Sequence, residues 1–236
     1  MNTVHRFVLL LLACGMYAYG GERPYELVWA NRTHDDHPAQ VPFTDARGWT
    51  VVCERASATL TTSTNELLFG DGTVQLTYCA LDQKPIVRLE PLHPIVITQQ
   101  FDAVSCWIYG NNHSYAPDPK TPPVSISLEF GDAQGKSLVL PLLHVHHQAW
   151  FLAHRRLTAE HVERLSHGAT LRAILVANGT NREARTLFFN SLAFFQESFP
   201  ALTFSQRPQR GVTVFPTCDP GLNTGPGRLP FPTRAG

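Results

Sequence analysis

From Trp49 onward the chain is a series of short apolar runs broken by turn residues at intervals of about 8–12 residues, a spacing that long helices cannot produce and that marks an antiparallel sandwich or barrel. Trp49–Arg55, Ser57–Thr61 and Glu66–Phe69 come first. Gly70-Asp71-Gly72 then makes a turn before Val74–Ala80, in which Val74, Leu76 and Tyr78 alternate with Gln75, Thr77 and Cys79. Ile86–Leu89 and Ile95–Thr98 flank a proline-containing turn, and Phe101–Tyr109 is dense enough in apolar residues for a strand buried on both faces. Val124–Phe130 alternates cleanly, Gly131-Asp132 through Gly135 is a hairpin turn, and Ser137–His147 and Trp150–Ala153 follow. Leu171–Val176 and Thr186–Phe195 close the set. One short helix interrupts it, with Thr158 as N-cap, Glu160 in the first turn and His161–Leu165 as its body. The expected fold is therefore an all-β antiparallel sandwich of jelly-roll type with one connecting helix.

The two ends have different compositions. Met1–Arg6 is short and basic, Phe7–Ala13 is purely apolar, and small residues lead to Gly20 and Gly21. This order predicts a secretory signal over residues 1–20, and its apolar run is too short to span a bilayer. Cleavage after Gly20 is one processing route. The other is lipidation at Cys14, since Leu11-Leu12-Ala13-Cys14 looks like a bacterial lipobox. Residues 21–37 read as an irregular lead-in, with one candidate strand at Tyr25–Trp29, and 38–198 as the sandwich. Residues 200–236 hold seven prolines and five glycines, which is linker composition, so 199–236 is expected to be a linker or tail. A catalytic domain beyond that linker is the partner such an arrangement suggests. The expected location is secreted or periplasmic, free or lipid-anchored.

Nineteen basic residues balance nineteen acidic ones, which argues against nucleic acid or an anionic membrane as a charge-selected partner. Charged residues make up only 16% and aromatics 10%, a balance suited to a neutral ligand such as a glycan, although a well-filled core accounts for many of the aromatics. Without Cys14, the cysteines are Cys53, Cys79, Cys106 and Cys218. An even count in an exported chain points to disulfides, with Cys53–Cys79 the first candidate and buried free thiols the alternative. Asn31, Asn112 and Asn178 begin N-x-S/T triplets.

A glycan site needs a flat aromatic face for the apolar side of a pyranose and planar hydrogen-bonding groups for its hydroxyls. Tyr109, Asn111, Asn112, His113 and Tyr115 offer both within one loop, and Trp150, His154 and Arg155 complete the set if their strand is adjacent. The competing reading makes Trp107, Tyr109 and Trp150 core residues. His144 and His146 share a strand face, but no glutamate follows at cupin spacing, so no metal site is expected. No nucleophile elbow, zinc helix or phosphate loop occurs. A jelly-roll polysaccharide lyase using Tyr109, His144, His146 and Arg155 remains the enzymatic alternative, and a structural or partner-binding sandwich the third.

A strand ending in Trp107-Ile108-Tyr109-Gly110-Asn111, the Ser125–Phe130 strand, Trp150-Phe151-Leu152-Ala153-His154, Ala173-Ile174-Leu175-Val176 and Phe188–Phe195 follow one another along the chain. Together they resemble the jelly-roll carbohydrate-binding modules of the galactose-binding-like superfamily, which are appended to secreted bacterial enzymes acting on polysaccharides. The resemblance covers about Trp49–Phe195 and implies glycan binding without catalysis. Where such modules carry an aspartate in the last strand, this chain has Asn190, which weakens the family's structural calcium site because a neutral carbonyl binds a hard cation less strongly. No cofactor is otherwise expected.

Overall fold

The computed structural model describes residues 33–110 and 124–198. Among them are eleven strands and one helix. The strands are β1 (Trp49–Glu54), β2 (Ala56–Ser63), β3 (Thr73–Ala80), β4 (Ile86–Pro91), β5 (Ile95–Ile97), β6 (Ala103–Tyr109), β7 (Ser125–Gly131), β8 (Ser137–His144), β9 (Trp150–Arg156), β10 (Ala169–Ala177) and β11 (Arg185–Phe195); α1 spans Ala159–Ser166. They form two antiparallel sheets. One has the order β1-β4-β10-β7-β8 with β5 also paired to β10, and the other has the order β2-β3-β11-β6-β9. The all-β sandwich expected from the spacing of the apolar runs is the fold of the protein.

Alternation decides which side chains fill the space between the sheets. In β3, Val74, Leu76 and Tyr78 point inward, and in β7, Ile126, Leu128 and Phe130 do so. Phe189, Phe194, Ile108 and Leu187 complete the layer from the five-stranded sheet. Phe101, Phe130 and Phe194 meet with ring centroids 5.3–6.1 Å apart. Near the end of α1, the last turn contributes Leu165 to this core. The helix starts at Thr158, whose hydroxyl accepts from the His161 N–H at 3.3 Å, as its sequence predicts.

Two expectations are corrected. Glu66–Phe69 forms no strand; residues 64–72 are a loop between β2 and β3. Its apolar side chains are buried all the same, because Leu68 and Phe69 pack over the outer face of the five-stranded sheet. The Cys53–Cys79 disulfide is also absent: Cys53, Cys79 and Cys106 are free thiols. Alternation explains the first pair. Cys79 shares its side of β3 with Gln75 and Thr77, facing out, whereas Cys53 has the inward parity of Trp49 and Val51 on a strand of the other sheet. Cys106 is buried in the core, where burial pushes its thiol well above the usual range. Cys14, Cys218 and residues 1–20 lie outside the described residues. Among the described residues, no helix is long and apolar enough to cross a membrane.

Candidate functional site

The outer face of the five-stranded sheet carries an unusual second apolar cluster. Strand register lays one continuous row across all five strands: Thr61, Gln75, Phe188, Tyr109 and Trp150. The row on one side is Asn190, Trp107 and Leu152. Thr59, Thr77 and Thr186 form the row on the other side. Trp107, Trp150 and Phe188 cluster with Leu68, and Tyr109, Leu152 and Phe69 pack against them. Tyr109 meets both Trp150 and Phe188 edge-on, each at 5.7 Å between centroids. The cluster explains why β6 is buried on both faces.

The face thus has two halves. Trp150 is only 5% exposed and Trp107 8%, so these rings lie beneath the surface. Tyr109 is half-buried between Trp150 and Phe188, and Phe188, 8% exposed, stands at the boundary. Beyond Phe188 lies a polar strip: exposed Thr59 and Thr61, with half-buried Gln75, Thr77 and Thr186. Gln75 Nε2 donates to Thr77 Oγ1 at 3.4 Å, and the Thr77 and Thr186 hydroxyls are 3.5 Å apart. Both contacts are at the long limit of hydrogen bonding and yield easily to a better partner. None of these side chains is charged. Burial, and then the nearby Glu66 carboxylate, raises the Tyr109 phenol above its ordinary value of 10.0, so it is a neutral hydroxyl at physiological pH.

The sequence-predicted site residues fall into three groups. Tyr109 and Trp150 are neighbours, as their adjacent strands require. His154 shares their side of β9, but its Nε2 lies 2.9 Å from Glu197. Arg155 follows His154 by one residue and has the inward parity of Ala153, so it projects from the opposite face of the sheet. Asn111, Asn112, His113 and Tyr115 lie outside the described residues. The lyase set is not assembled: Tyr109 and Arg155 are on opposite faces, His144 ends a strand of the other sheet, and the Tyr109 phenol is shifted away from the range of a base. His144 and His146 have ring centroids 6.3 Å apart, and among the described residues no three His, Cys, Asp or Glu side chains are grouped to hold a metal ion.

Sequence reasoning missed Gln75, Thr77, Thr186 and Phe188. Alternation marks each as outward-facing or inward-facing within its own strand. Only the strand order β3-β11-β6 brings the four together.

No known family matches the sequence, and no curated protein does. Solved structures do match in fold. One is a carbohydrate-binding module of the β-sandwich superfamily, with a TM-score of 0.50 and 12% identity, over 70% of this chain and 63% of that one. The chain thus spans about 63% of the length of that structure. A family 11 carbohydrate-binding module of a cellulosomal cellulase of Clostridium thermocellum aligns over 70% of this chain and 98% of its own, at 9% identity and a TM-score of 0.44. A mannan-recognising module aligns over 67% and 95%, at 12% identity and a TM-score of 0.45. The chain has the β-sandwich fold that carbohydrate-binding modules use.

Proposed function

We propose that this domain is a non-catalytic carbohydrate-binding module of an exported protein, accessory to polysaccharide processing, and that it takes a neutral glycan on the outer face of the five-stranded sheet. The row Thr61–Gln75–Phe188–Tyr109–Trp150 carries the reading, because it sets hydroxyl and amide groups directly beside an aromatic edge. That pairing is what a pyranose needs: apolar contact for its C–H face and planar or rotatable hydrogen bonders for its hydroxyls. The strip carries no charge, which favours neutral sugars over uronates. The basic, apolar and small-residue order of residues 1–20 supports export.

Affinity electrophoresis of the full chain through gels containing soluble neutral polysaccharides tests the reading. At least one glucan, mannan, xylan or galactan is expected to retard the protein. Gln75→Ala and Tyr109→Phe should each reduce the retardation strongly while the melting temperature stays close to that of the parent. Free migration in every gel would refute glycan binding. If Tyr109→Ala costs stability and no polysaccharide ever binds, the face is a packing surface and the sandwich is structural.

A further inference from the structure

On the other side of the aromatic cluster from the polar strip, the segment leading into the sandwich passes over the same sheet. Trp107 Nε1 donates to Asp35 Oδ2 at 3.2 Å, and the Ser191 hydroxyl donates to the same oxygen at 2.9 Å. His37 stacks on Phe195 with centroids 3.5 Å apart and planes 12° from parallel. The Phe194 N–H donates to Gln40 Oε1 at 2.6 Å, and Val41 bridges to Leu192. A strap anchored at that many points belongs to the folded domain.

Between the strap, the Phe69–Gly70 end of the β2–β3 loop and β11 lies a cavity of about 540 Å³. That volume is within the range of small-molecule sites. The β11 ladder breaks there, with a register shift between Asn190 and Ala193. Ser191 sits in the break at φ 46°, and Gly70 faces it at φ 76°. A left-handed serine inside a strand is strained, and bulges and strain of this kind gather at binding sites. The walls combine Pro38, Ala39, Pro42 and Phe69 with the Asp35 carboxylate, and with Asn190, which is 1% exposed. Among the described residues, no Lys or Arg lines the cavity. Among the described residues, the acidic and histidine side chains of the strap are not grouped as metal ligands.

We propose that this cavity is a second carbohydrate subsite that takes one neutral sugar unit at a chain end. The ligand class rests on the carbohydrate-binding reading above; the subsite itself rests on the cavity, the bulge and the strap. Proline and phenylalanine walls suit the C–H face of a pyranose, and the Asp35 carboxylate, which already accepts from Trp107, Ser191 and the Asp36 N–H, keeps one acceptor position for a sugar hydroxyl. The Asp35 carboxylate in the wall disfavours uronates by like-charge repulsion. The strap, held at Phe195 and Trp107, walls the cavity on one side, which suits the end of a chain better than an internal unit.

Calorimetric titration of the full chain with glucose, galactose, mannose and xylose tests this. At least one is expected to bind saturably. Ala39→Trp, at an exposed wall position, fills the cavity and should weaken that binding about tenfold or more. Asp35→Asn should also weaken it. Gln75→Ala should leave monosaccharide binding intact while reducing retention on polysaccharide gels. Absence of saturable binding to all four sugars, or unchanged affinity in Ala39→Trp, overturns the subsite. If polysaccharide retention persists in that case, the strip reading stands without the subsite. Loss of both removes both.

Discussion

Trp107 and Trp150 sit in adjacent rows of one face, both buried in one cluster, yet replacing each by phenylalanine should have very different consequences. Both substitutions remove the same apolar atoms, equivalent to two or three methylenes, at a cost of ~2 kcal/mol. The indole N–H decides the rest. Trp107 Nε1 donates to the Asp35 carboxylate at 3.2 Å. Losing a hydrogen bond to a charged group costs a further ~1.5 kcal/mol or more, so Trp107→Phe should cost about 3.5 kcal/mol. Trp150 Nε1 is buried with no hydrogen-bond partner among the described residues. Removing an unsatisfied buried donor returns about 1–3 kcal/mol, which offsets the lost apolar contact and leaves Trp150→Phe close to neutral. The expected gap is ~3.5 kcal/mol. Equilibrium urea unfolding followed by far-ultraviolet circular dichroism measures it, provided the m-values of the variants agree. Equal midpoints, or a larger loss for Trp150→Phe, would show that the two N–H groups do not differ as their surroundings indicate.

Three further outcomes follow from the same geometry. A Cβ at Gly110 would lie 2.2 Å from the His147 carbonyl oxygen, so Gly110→Ala should lower stability by about 2 kcal/mol or more in urea unfolding. Burial chiefly, with His146 nearby, holds the His147 imidazole below the ordinary 6.5 despite its bond to the Ile108 carbonyl. The unfolded chain then binds the proton more readily, so this contribution is present above pH 6.5 and is lost as the pH falls toward the folded value. His147→Gln should flatten that decline, and an unchanged pH profile would refute the assignment. Timed alkylation with peptide mapping should modify Cys53 first, Cys79 more slowly and Cys106 only on unfolding, whereas a Cys53–Cys79 cross-linked peptide would contradict their placement.

Much of the fold was legible because alternation leaves a direct record. Val74, Leu76 and Tyr78 against Gln75, Thr77 and Cys79 states both that β3 is a strand and which side is buried. Thr158 announces α1 because an N-cap hydroxyl satisfies a backbone donor locally, with no help from distant residues. Glu66–Phe69 misled for the opposite reason. An apolar run reads the same whether it pairs in a ladder or lies over a face, and Leu68 and Phe69 do the second. Cysteine number suggested a bridge, but the parities of Cys53 and Cys79 already opposed it, since each is separated by an even step from residues facing different ways.

The candidate site shows the same limit more sharply. Alternation in β9 sets Trp150, Leu152 and His154 apart from Phe151, Ala153 and Arg155, so the separation of Arg155 from Trp150 was present in the sequence. What alternation cannot give is who stands beside whom. Phe188 and Phe189 are adjacent aromatics that read as one apolar run, yet one joins the outer cluster and the other the core. Gln75 becomes a candidate ligand contact only because β11 carries Phe188 between it and Tyr109. Asp35 becomes one because a strap from before β1 lies over β6 and β11, separated from Ser191 by 156 positions in the chain. Residues that jointly build a site on a jelly-roll face come from strands far apart in sequence. A motif search along the chain therefore finds the loop that looks like a site, while strand order finds the face whose residues stand together.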